Sequence, residues 1–324
     1  TLVPNLPNVI LDTTTNAVGY ITGFEHDSAT HKLYIAGEFQ RVGSVNRQGF
    51  AVIDMNTGAL LNDLSFITLS DLSWTNHVKA SLKLFKNRIY VGGMFSTPSN
   101  YYLFSVGLND TIIRGLDSLA PLSDFEIYNS KIYTAGALYQ SVPEEFDVNE
   151  MDTLGNITWQ KSIINTTNEQ FYCLAIRNNT LFVGGIFSSF GGVNLKNIAK
   201  VDLSTHTITS WQPTPSPGPS GNVTCYAVLD MVIYPNDILL NLGQAGCATP
   251  PNNIRGFDLA TGNYNSQVRT LSYLATNEDL IAENDTMFWY YNGAGFKLYG
   301  LNSTFIHPWW PTPNTSGYVT RFFR

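Results

Sequence analysis

The stretch that decides the fold is Leu33-Tyr-Ile-Ala-Gly37-Glu-Phe39, because variants of it recur along the chain. The matched glycines of successive copies lie 56, 43, 49, 58 and 50 residues apart. Repeats of about 40 to 50 residues built from short strands are typical of a β-propeller, in which each repeat forms one blade. The further copies, of which the last two are weaker, begin at Ile89, Ile132, Leu181, Ile238 and Met287.

Each repeat contains four strand-like segments that are separated by turn residues. In the first repeat, residues 18–24 alternate in polarity, residues 33–39 follow a short turn, and residues 50–54 end in Asp. Alternating short segments bounded by Gly, Asn and Asp favour antiparallel sheets. The sequence therefore predicts an all-β chain, a single six-bladed propeller over residues 1–324 with four-stranded antiparallel blades; seven blades are the alternative.

The paired glycines in the repeated stretch have a structural interpretation. Glycine weakens an isolated strand, but it is useful where two backbones approach closely. We therefore expect these glycines to lie where neighbouring sheets converge. The predicted repeats span approximately 18–75, 76–118, 119–164, 165–217, 218–270 and 271–313.

The chain ends by starting a further repeat. Gly317-Tyr-Val-Thr-Arg-Phe322 resembles Gly19-Tyr-Ile-Thr-Gly-Phe24. A trailing strand over residues 316–324 could close the ring, mark a cut from a longer array, or join a neighbouring molecule by strand addition. These three interpretations stay open at this point.

Two of the fullest copies carry a resemblance to a known repeat family. Phe187-Ser-Ser-Phe-Gly-Gly192-Val-Asn and Asn197-Ile-Ala-Lys-Val-Asp202 resemble the delta-60 repeat pattern. Similar repeats occur in the ectodomains of fungal bud-site cortical marker proteins. The resemblance covers about residues 19–320 and implies a propeller on an extracellular or cell-surface protein, without a defined catalytic set.

Composition limits the possible partners. Charged residues make up 13% of the chain, and the formal net charge is −7. No run of Lys and Arg is present, so we expect no nucleic-acid partner. No stretch of about 18 apolar residues occurs, so no membrane span is expected.

No arrangement of residues predicts a catalytic, cofactor or metal site. The five histidines lack zinc-site spacing, and His31 and His206 are expected to be solvated in turns. A propeller glycosidase would need paired carboxylates at the axial funnel. The candidates at first-strand ends, which we interpret as ordinary strand or turn residues, are Glu25, Asp27, Asp124, Glu126 and Asp230.

An acidic run is the densest group of oxygen ligands in the chain. Asp147, Asn149, Glu150 and Asp152 could bind calcium, but the glycine that an EF-hand loop needs at its sixth position is missing. We expect a solvated acidic loop there, and a short helical turn is compatible with residues 144–152.

The cysteines and sequons bear on the compartment. Cys225 and Cys247 flank a strand pair and are a possible disulfide, whereas Cys173 is expected to be a packed, inert thiol. Asn-x-Ser/Thr sequons favour a secreted, glycosylated protein, although unused sequons are an equal alternative. The possible N-glycosylation sites are Asn109, Asn156, Asn165, Asn178, Asn222, Asn284, Asn302 and Asn314.

Aromatic residues are abundant and most are expected in the core. Two dense groups, residues 289–291 and 309–310, are expected to be core, with an exposed docking or sugar-stacking surface as the alternative.

The sequence predicts a non-catalytic secreted or cell-surface interaction or structural module that presents loops on a rigid frame. The first alternative is a subunit of an extracellular filament or coat that assembles through the C-terminal strand. The second alternative is a secreted carbohydrate-active enzyme. The ligand, protein or glycan, is not identified by the sequence.

Overall fold

The computed structural model is built from β-strands, and its described part contains no helix and therefore no helix that could cross a membrane. The described residues are 9–12, 17–70, 79–95, 97, 101–109, 112–117, 122–138, 145–164, 169–213, 226–244, 252–265, 271–273, 280–284, 287–291, 296–300 and 305–309.

The described residues form two compact units. The first contains those up to Lys131 together with Met151–Asn156. The second contains Ile132–Glu150 and those from Ile157 onward. Six four-stranded antiparallel sheets lie within one unit or the other.

The first unit contains three of these sheets and one further strand, β13 (Leu122–Tyr128). One sheet runs in the order β3 (Tyr20–Asp27), β4 (Lys32–Glu38), β7 (Phe50–Asp54) and β8 (Leu60–Leu61). The next contains, in order, β9 (Lys79–Phe85), β10 (Arg88–Met94), β11 (Leu103–Gly107) and β12 (Ile113–Asp117). A smaller sheet has the order β2 (Ala17–Val18), β1 (Val9–Asp12), β5 (Arg41–Val42) and β6 (Val45–Asn46).

The second unit begins with the neighbouring strands β14 (Lys131–Leu138), β15 (Glu145–Met151) and β16 (Ile157–Ile164). Its first complete sheet is β17 (Gln170–Arg177), β18 (Thr180–Ile186), β19 (Ile198–Asp202) and β20 (Thr207–Thr209). The second is β21 (Tyr226–Ile233), β22 (Asp237–Gln244), β23 (Asn252–Asp258) and β24 (Leu271–Tyr273). The third is β25 (Leu280–Asn284), β26 (Met287–Tyr291), β27 (Phe296–Gly300) and β28 (Phe305–Trp309).

The larger sheets share one topology, in which four strands pair antiparallel in chain order; in the first of them β5 and β6 intervene between the second and third strands. Such a repeated up-and-down sheet is the blade of a β-propeller. The prediction of an all-β propeller with four-stranded blades is confirmed. The number of blades and the repeat boundaries stay predictions, and the trailing strand at residues 316–324 lies outside the described residues.

In three blades, the turn between the first and second strands has a defined local cause. Its two central residues have positive φ, as the type I′ hairpin turn requires. Asn, Ser and Lys occupy these positions, and Asn in particular tolerates the left-handed region. The pairs are Lys86 and Asn87, Asn129 and Ser130, and Asn178 and Asn179.

The core of each unit forms between the faces of neighbouring blades. In the first unit, Tyr34 and Phe50 of one blade join Leu82 and Val91 of the next in a single buried cluster. In the second unit, another cluster combines residues of β17–β19 with residues of β21–β23. Side chains that alternate along each strand can therefore be buried on both faces of a blade.

Some glycines lie where neighbouring blades approach closely: Gly184 belongs to the repeated stretch, as the sequence predicts, whereas Gly23 lies on a first strand, outside that prediction. A Cβ atom on Gly23 would lie 2.1 Å from the carbonyl oxygen of Ala80, on the first strand of the next blade. A Cβ atom on Gly184 would lie 2.7 Å from Cys173 Sγ, and also from the side chains of Met231 and Val228. These positions exclude larger side chains for steric reasons and need no ligand.

Gly184→Ala is expected to lower the free energy of unfolding by about 1–3 kcal/mol, the usual cost of overpacking a core. Adding Cys173→Ala removes one of the obstructing atoms, so the double variant should be more stable than the two single effects predict together. Equilibrium urea unfolding of the four proteins of this cycle measures the coupling. Strict additivity would contradict the assigned clash.

Candidate interaction site

Two loops of similar sequence connect the second and third strands of their blades. We call residues 39–49 the N-terminal hairpin and residues 187–197 the central hairpin. Phe39, Gly43, Val45 and Asn46 of the first correspond to a matching set in the second. The matching residues of the central hairpin are Phe187, Gly191, Val193 and Asn194.

The bases of the two hairpins are held by equivalent backbone hydrogen bonds. In the N-terminal hairpin, Gly49 N donates to Phe39 O at 2.9 Å and Gly37 N donates to Gly49 O at 3.0 Å. In the central hairpin, Asn197 N donates to Phe187 O at 3.0 Å, and Gly185 N donates to Asn197 O at 2.9 Å. One repeat motif therefore gives two blades a loop with the same base, although the tips differ: Gly191 and Gly192 both have positive φ, whereas of Gly43 and Ser44 only Gly43 does.

Three buried aromatic rings anchor the central hairpin to its blade. The Phe171 ring, on the first strand, lies 5.6 Å from that of Phe187 and 5.7 Å from that of Phe190. Both contacts have the edge-to-face geometry that aromatic pairs favour. All three side chains are at most 2% exposed, so the base of the loop is part of the core.

Polar contacts fix the same base. Glu169 Oε1 accepts hydrogen bonds from Ser188 N at 2.7 Å and from Ser188 Oγ at 2.6 Å. Asn197 Oδ1 accepts one from Phe187 N at 3.1 Å. Glu169 and Asn197 are themselves buried, so these bonds are shielded from competing water.

The tip of the central hairpin is exposed, in contrast to its base. Phe190 and Val193 exchange two backbone hydrogen bonds, at 2.9 and 3.0 Å, across the turn at Gly191 and Gly192. Both glycines have positive φ, as a type I′ turn requires. The glycines and Asn194 are exposed. The loop therefore combines a fixed base with an accessible tip, which is a pre-organised geometry for binding.

The predicted first-strand carboxylates are engaged by the protein frame. Asp124 Oδ1 accepts a hydrogen bond from Ser81 Oγ at 3.0 Å, and Glu126 forms an ion pair with Lys83 at 2.8 Å. Both contacts connect the first strands of neighbouring blades. The three remaining candidates accept backbone N–H groups; these are Glu25 from Leu84, Asp27 from Ala29 and Thr30, and Asp230 from Met231.

Glu150 is a fully buried carboxylate with several side-chain partners. Its Oε2 accepts a hydrogen bond from the Tyr133 hydroxyl at 3.0 Å and lies 2.9 Å from His206 Nε2. Its Oε1 accepts a hydrogen bond from the Thr158 hydroxyl at 2.7 Å. The His206 ring stacks on Trp159, with centroids 5.0 Å apart and planes at 13°. This group connects the sheet that contains β14–β16 with the β19–β20 turn.

Two expectations from the sequence are wrong here. The acidic run does not form a solvated loop or a helical turn, because residues 145–151 form β15, in which Asp147 is 3% and Glu150 0% exposed. His206 lies in a turn as expected, but its ring is not free in solvent, because Glu150 and Trp159 hold it and the side chain is 29% exposed. Within the described residues, no group of three or more His, Cys, Asp or Glu is arranged to hold a metal ion.

Tyr133→Phe is expected to lower the free energy of unfolding by about 1–3 kcal/mol, because it removes a donor from a buried carboxylate. Urea unfolding measures the effect. Tyr101→Phe is the matched control, because the Tyr101 hydroxyl has no hydrogen-bond partner among the described residues. Equal small effects of the two changes would contradict the assigned role.

Aspartates close the turns between the third and fourth strands. At Asp202, Oδ1 accepts hydrogen bonds from Ser204 N at 2.8 Å and Thr205 N at 3.1 Å. These bonds favour the charged carboxylate and hold the pKa of Asp202 below its ordinary value. Asp54 and Asp258 occupy the same position in their blades, and their pKa values are lowered too. The main cause is the hydrogen bond from Thr57 N for Asp54 and the hydrogen bond from the Thr261 hydroxyl for Asp258.

A carboxyl group whose pKa is lower in the folded than in the unfolded state stabilises the fold at pH values above the unfolded-state pKa. This stabilisation is lost as the pH falls through the folded-state pKa. Asp202→Asn keeps an acceptor but has no charge. Wild type is therefore expected to exceed this variant in stability at neutral pH, and the difference should shrink below the ordinary pKa of 3.8. Urea unfolding at a series of pH values tests this; a difference independent of pH would contradict it.

The structure describes only some of the cysteine and sequon residues that the sequence analysis names. Cys173 is a buried thiol in the core of the second unit. Cys225 and Cys247 lie outside the described residues, as do Asn165, Asn222, Asn302 and Asn314. Three sequon residues occupy exposed turns or loops, namely Asn109, Asn156 and Asn178. Asn284 ends β25.

Other aromatic positions are described only by their backbone. Residues 289–291 belong to β26 and residue 309 ends β28, whereas residue 310 lies outside the described part. Their burial stays a prediction.

Comparisons with solved structures agree with the propeller fold. The chain is similar to the extracellular domain of the BT4673 hybrid two-component system from B. thetaiotaomicron, with a TM-score of 0.51 and 11% identity, over 87% of this chain and 32% of that chain. The chain thus spans about a third of that protein's chain. Other similar structures are the Dos1 propeller (TM-score 0.47, 9% identity, 87% of this chain and 69% of that one) and the Neurospora crassa Pan2 WD40 domain (0.46, 11%, 88% and 90%).

No protein-family model and no curated protein matched the sequence. The sheets, together with the similarity to the BT4673 extracellular domain, define the class of this chain: it is a β-propeller protein. The delta-60 repeat family stays a prediction. At 11% identity the likeness extends to the fold alone.

Proposed function

We propose that this protein is a non-catalytic interaction module that acts outside the cell or at its surface. The observation that supports this function is the central hairpin, whose base is fixed in the core while its tip is exposed. A loop held in one conformation loses little entropy on binding, so its contacts contribute to affinity. The first-strand carboxylates, by contrast, are committed to the frame.

The topology supports one end of each blade as the binding end. In an up-and-down sheet, the turns after the first and third strands lie at one end, and the loop after the second strand lies at the other. The former turns are short and closed by positive-φ residues or by aspartate. The longer loops, including the central hairpin, therefore offer the more variable surface for a partner.

The partner is a protein or glycan of the extracellular environment. Exposed sequons on turns and the resemblance to ectodomain repeats support this compartment. Intact mass of the protein expressed through a secretory pathway, before and after deglycosylation, tests it. A mass equal to that of the bare chain in both samples would count against a glycosylated surface.

Asn194→Lys is expected to abolish or strongly weaken capture of a partner from the protein's native extracellular medium, because it places a charge at the exposed hairpin tip. Ala260→Lys is the matched control, because it adds the same charge to an exposed turn at the opposite end of a neighbouring blade. Quantitative pull-down with wild type and both variants compares the captured proteins and glycans.

The proposal requires a partner that wild type and Ala260→Lys retain and that Asn194→Lys loses. Equal capture by all three proteins would remove the central hairpin as the binding site. Turnover of an extracellular polysaccharide by the purified protein would contradict a non-catalytic role.

A further inference from the structure

The N-terminal hairpin shows what its loop shape can bind. Strand β1 adds to the outer edge of that hairpin, with Ile10 opposite Arg41 and Val9 opposite Val42. Together with β2, β1 extends the hairpin into the small four-stranded sheet. The chain therefore already uses this loop shape as an acceptor of an extended strand.

The central hairpin presents the equivalent edge. Ser189 and Phe190 occupy the positions of Arg41 and Val42 in the matched sequences. Phe190 directs its backbone N–H and C=O to Val193, across the hairpin. From the alternation of these groups along an extended chain, we infer that those of Ser189 face the outer edge, as Arg41 faces β1 in the N-terminal hairpin. Within the described residues the Ser189 backbone has no hydrogen-bond partner.

The described residues provide no local counterpart of β1 for this second edge. Strand β1 comes from the segment before the first strand of its blade. The segment before β17 is β16, which belongs to the preceding sheet, and residues 165–168 are all that separates β16 from Glu169. Among the described residues no strand pairs with Ser189 or Phe190.

The central hairpin, which no described strand extends, forms fewer residue pairs than the N-terminal hairpin. With β1 in place, the N-terminal hairpin forms two residue pairs, Arg41 with Asn46 and Val42 with Val45. The central hairpin forms a single bridge between Phe190 and Val193. An added strand would order the edge that it pairs with, as in other cases of strand addition.

We propose that the central hairpin binds an extended segment of a partner protein by β-strand addition at Ser189 and Phe190. The partner segment is apolar and strand-forming, like Val9-Ile-Leu-Asp12, because that is the type of segment seated on the matching edge. Backbone hydrogen bonds to the edge of the hairpin provide the contact. This inference rests on the proposed function and names the chemistry of its partner.

The test uses a fluorescent synthetic peptide of residues 6–14 and the full chain, with fluorescence anisotropy as the readout. Saturable binding is expected. The equivalent edge of the N-terminal hairpin is expected to bind little peptide, because β1 of the same chain occupies that edge at high effective concentration. Hydrogen exchange should show that the Ser189 amide becomes protected when the peptide is added.

Ser189→Pro removes the outward N–H and is expected to weaken peptide binding about tenfold, the effect of one lost backbone hydrogen bond. Urea unfolding of this variant shows whether the fold is retained. A matched pair of peptides avoids any change in the protein. N-methylation at Ile10, which faces the acceptor strand, should weaken binding similarly, whereas N-methylation at Leu11 should not.

Absence of saturable binding, or equal binding by both methylated peptides, would overturn the strand addition. Self-association of the full chain that is lost in Ser189→Pro would overturn the choice of a different protein as partner and make a second copy the occupant. If the peptide fails while Asn194→Lys still loses a captured partner, the proposed function stands and only strand addition falls.

Discussion

Close backbone approach between the first strands of neighbouring blades is the constraint on which the rest of each unit depends. Gly23 lies so near the Ala80 carbonyl that even a methyl group does not fit. Packing at this distance lets buried residues on both blade faces meet without voids, and dense packing supplies much of a domain's stability. Small residues such as Gly23 on a first strand and Gly184 on a second strand therefore determine where longer side chains can be placed.

Polar groups complete the contacts that packing leaves open. Asp124 and Glu126 accept from Ser81 and Lys83 of the neighbouring blade, and the buried Glu150 is bonded to two hydroxyl groups and to the ring of His206. A buried carboxylate without such partners would cost several kcal/mol, so each of these groups fixes one arrangement of neighbouring elements. Carboxylates that a catalytic interpretation would use are therefore parts of the frame.

The sequence predicts the strands, their order and the close approach at glycines, because these depend on local alternation and on a pattern repeated several times. It fails for Glu150 and His206, since a polar residue in a single copy carries no information about which distant side chain will satisfy it. Strand β1 was also missed, because four residues outside the repeats give too short a pattern. The match between residues 39–46 and 187–194, however, was visible in the sequence and could have indicated two loops of one shape.

Those two loops have the same anchors and different neighbours, and this difference bears on function. Repetition gives both hairpins the same hydrogen bonds at the base. The N-terminal hairpin pairs with β1, which precedes its blade in the chain. The blade of the central hairpin is preceded instead by β16, which already belongs to another sheet. One edge is therefore filled within the chain, whereas no strand among the described residues fills the equivalent edge. Because the aromatic anchor at Phe171 fixes the second hairpin before any partner arrives, strand addition there would order only the partner and the hairpin tip.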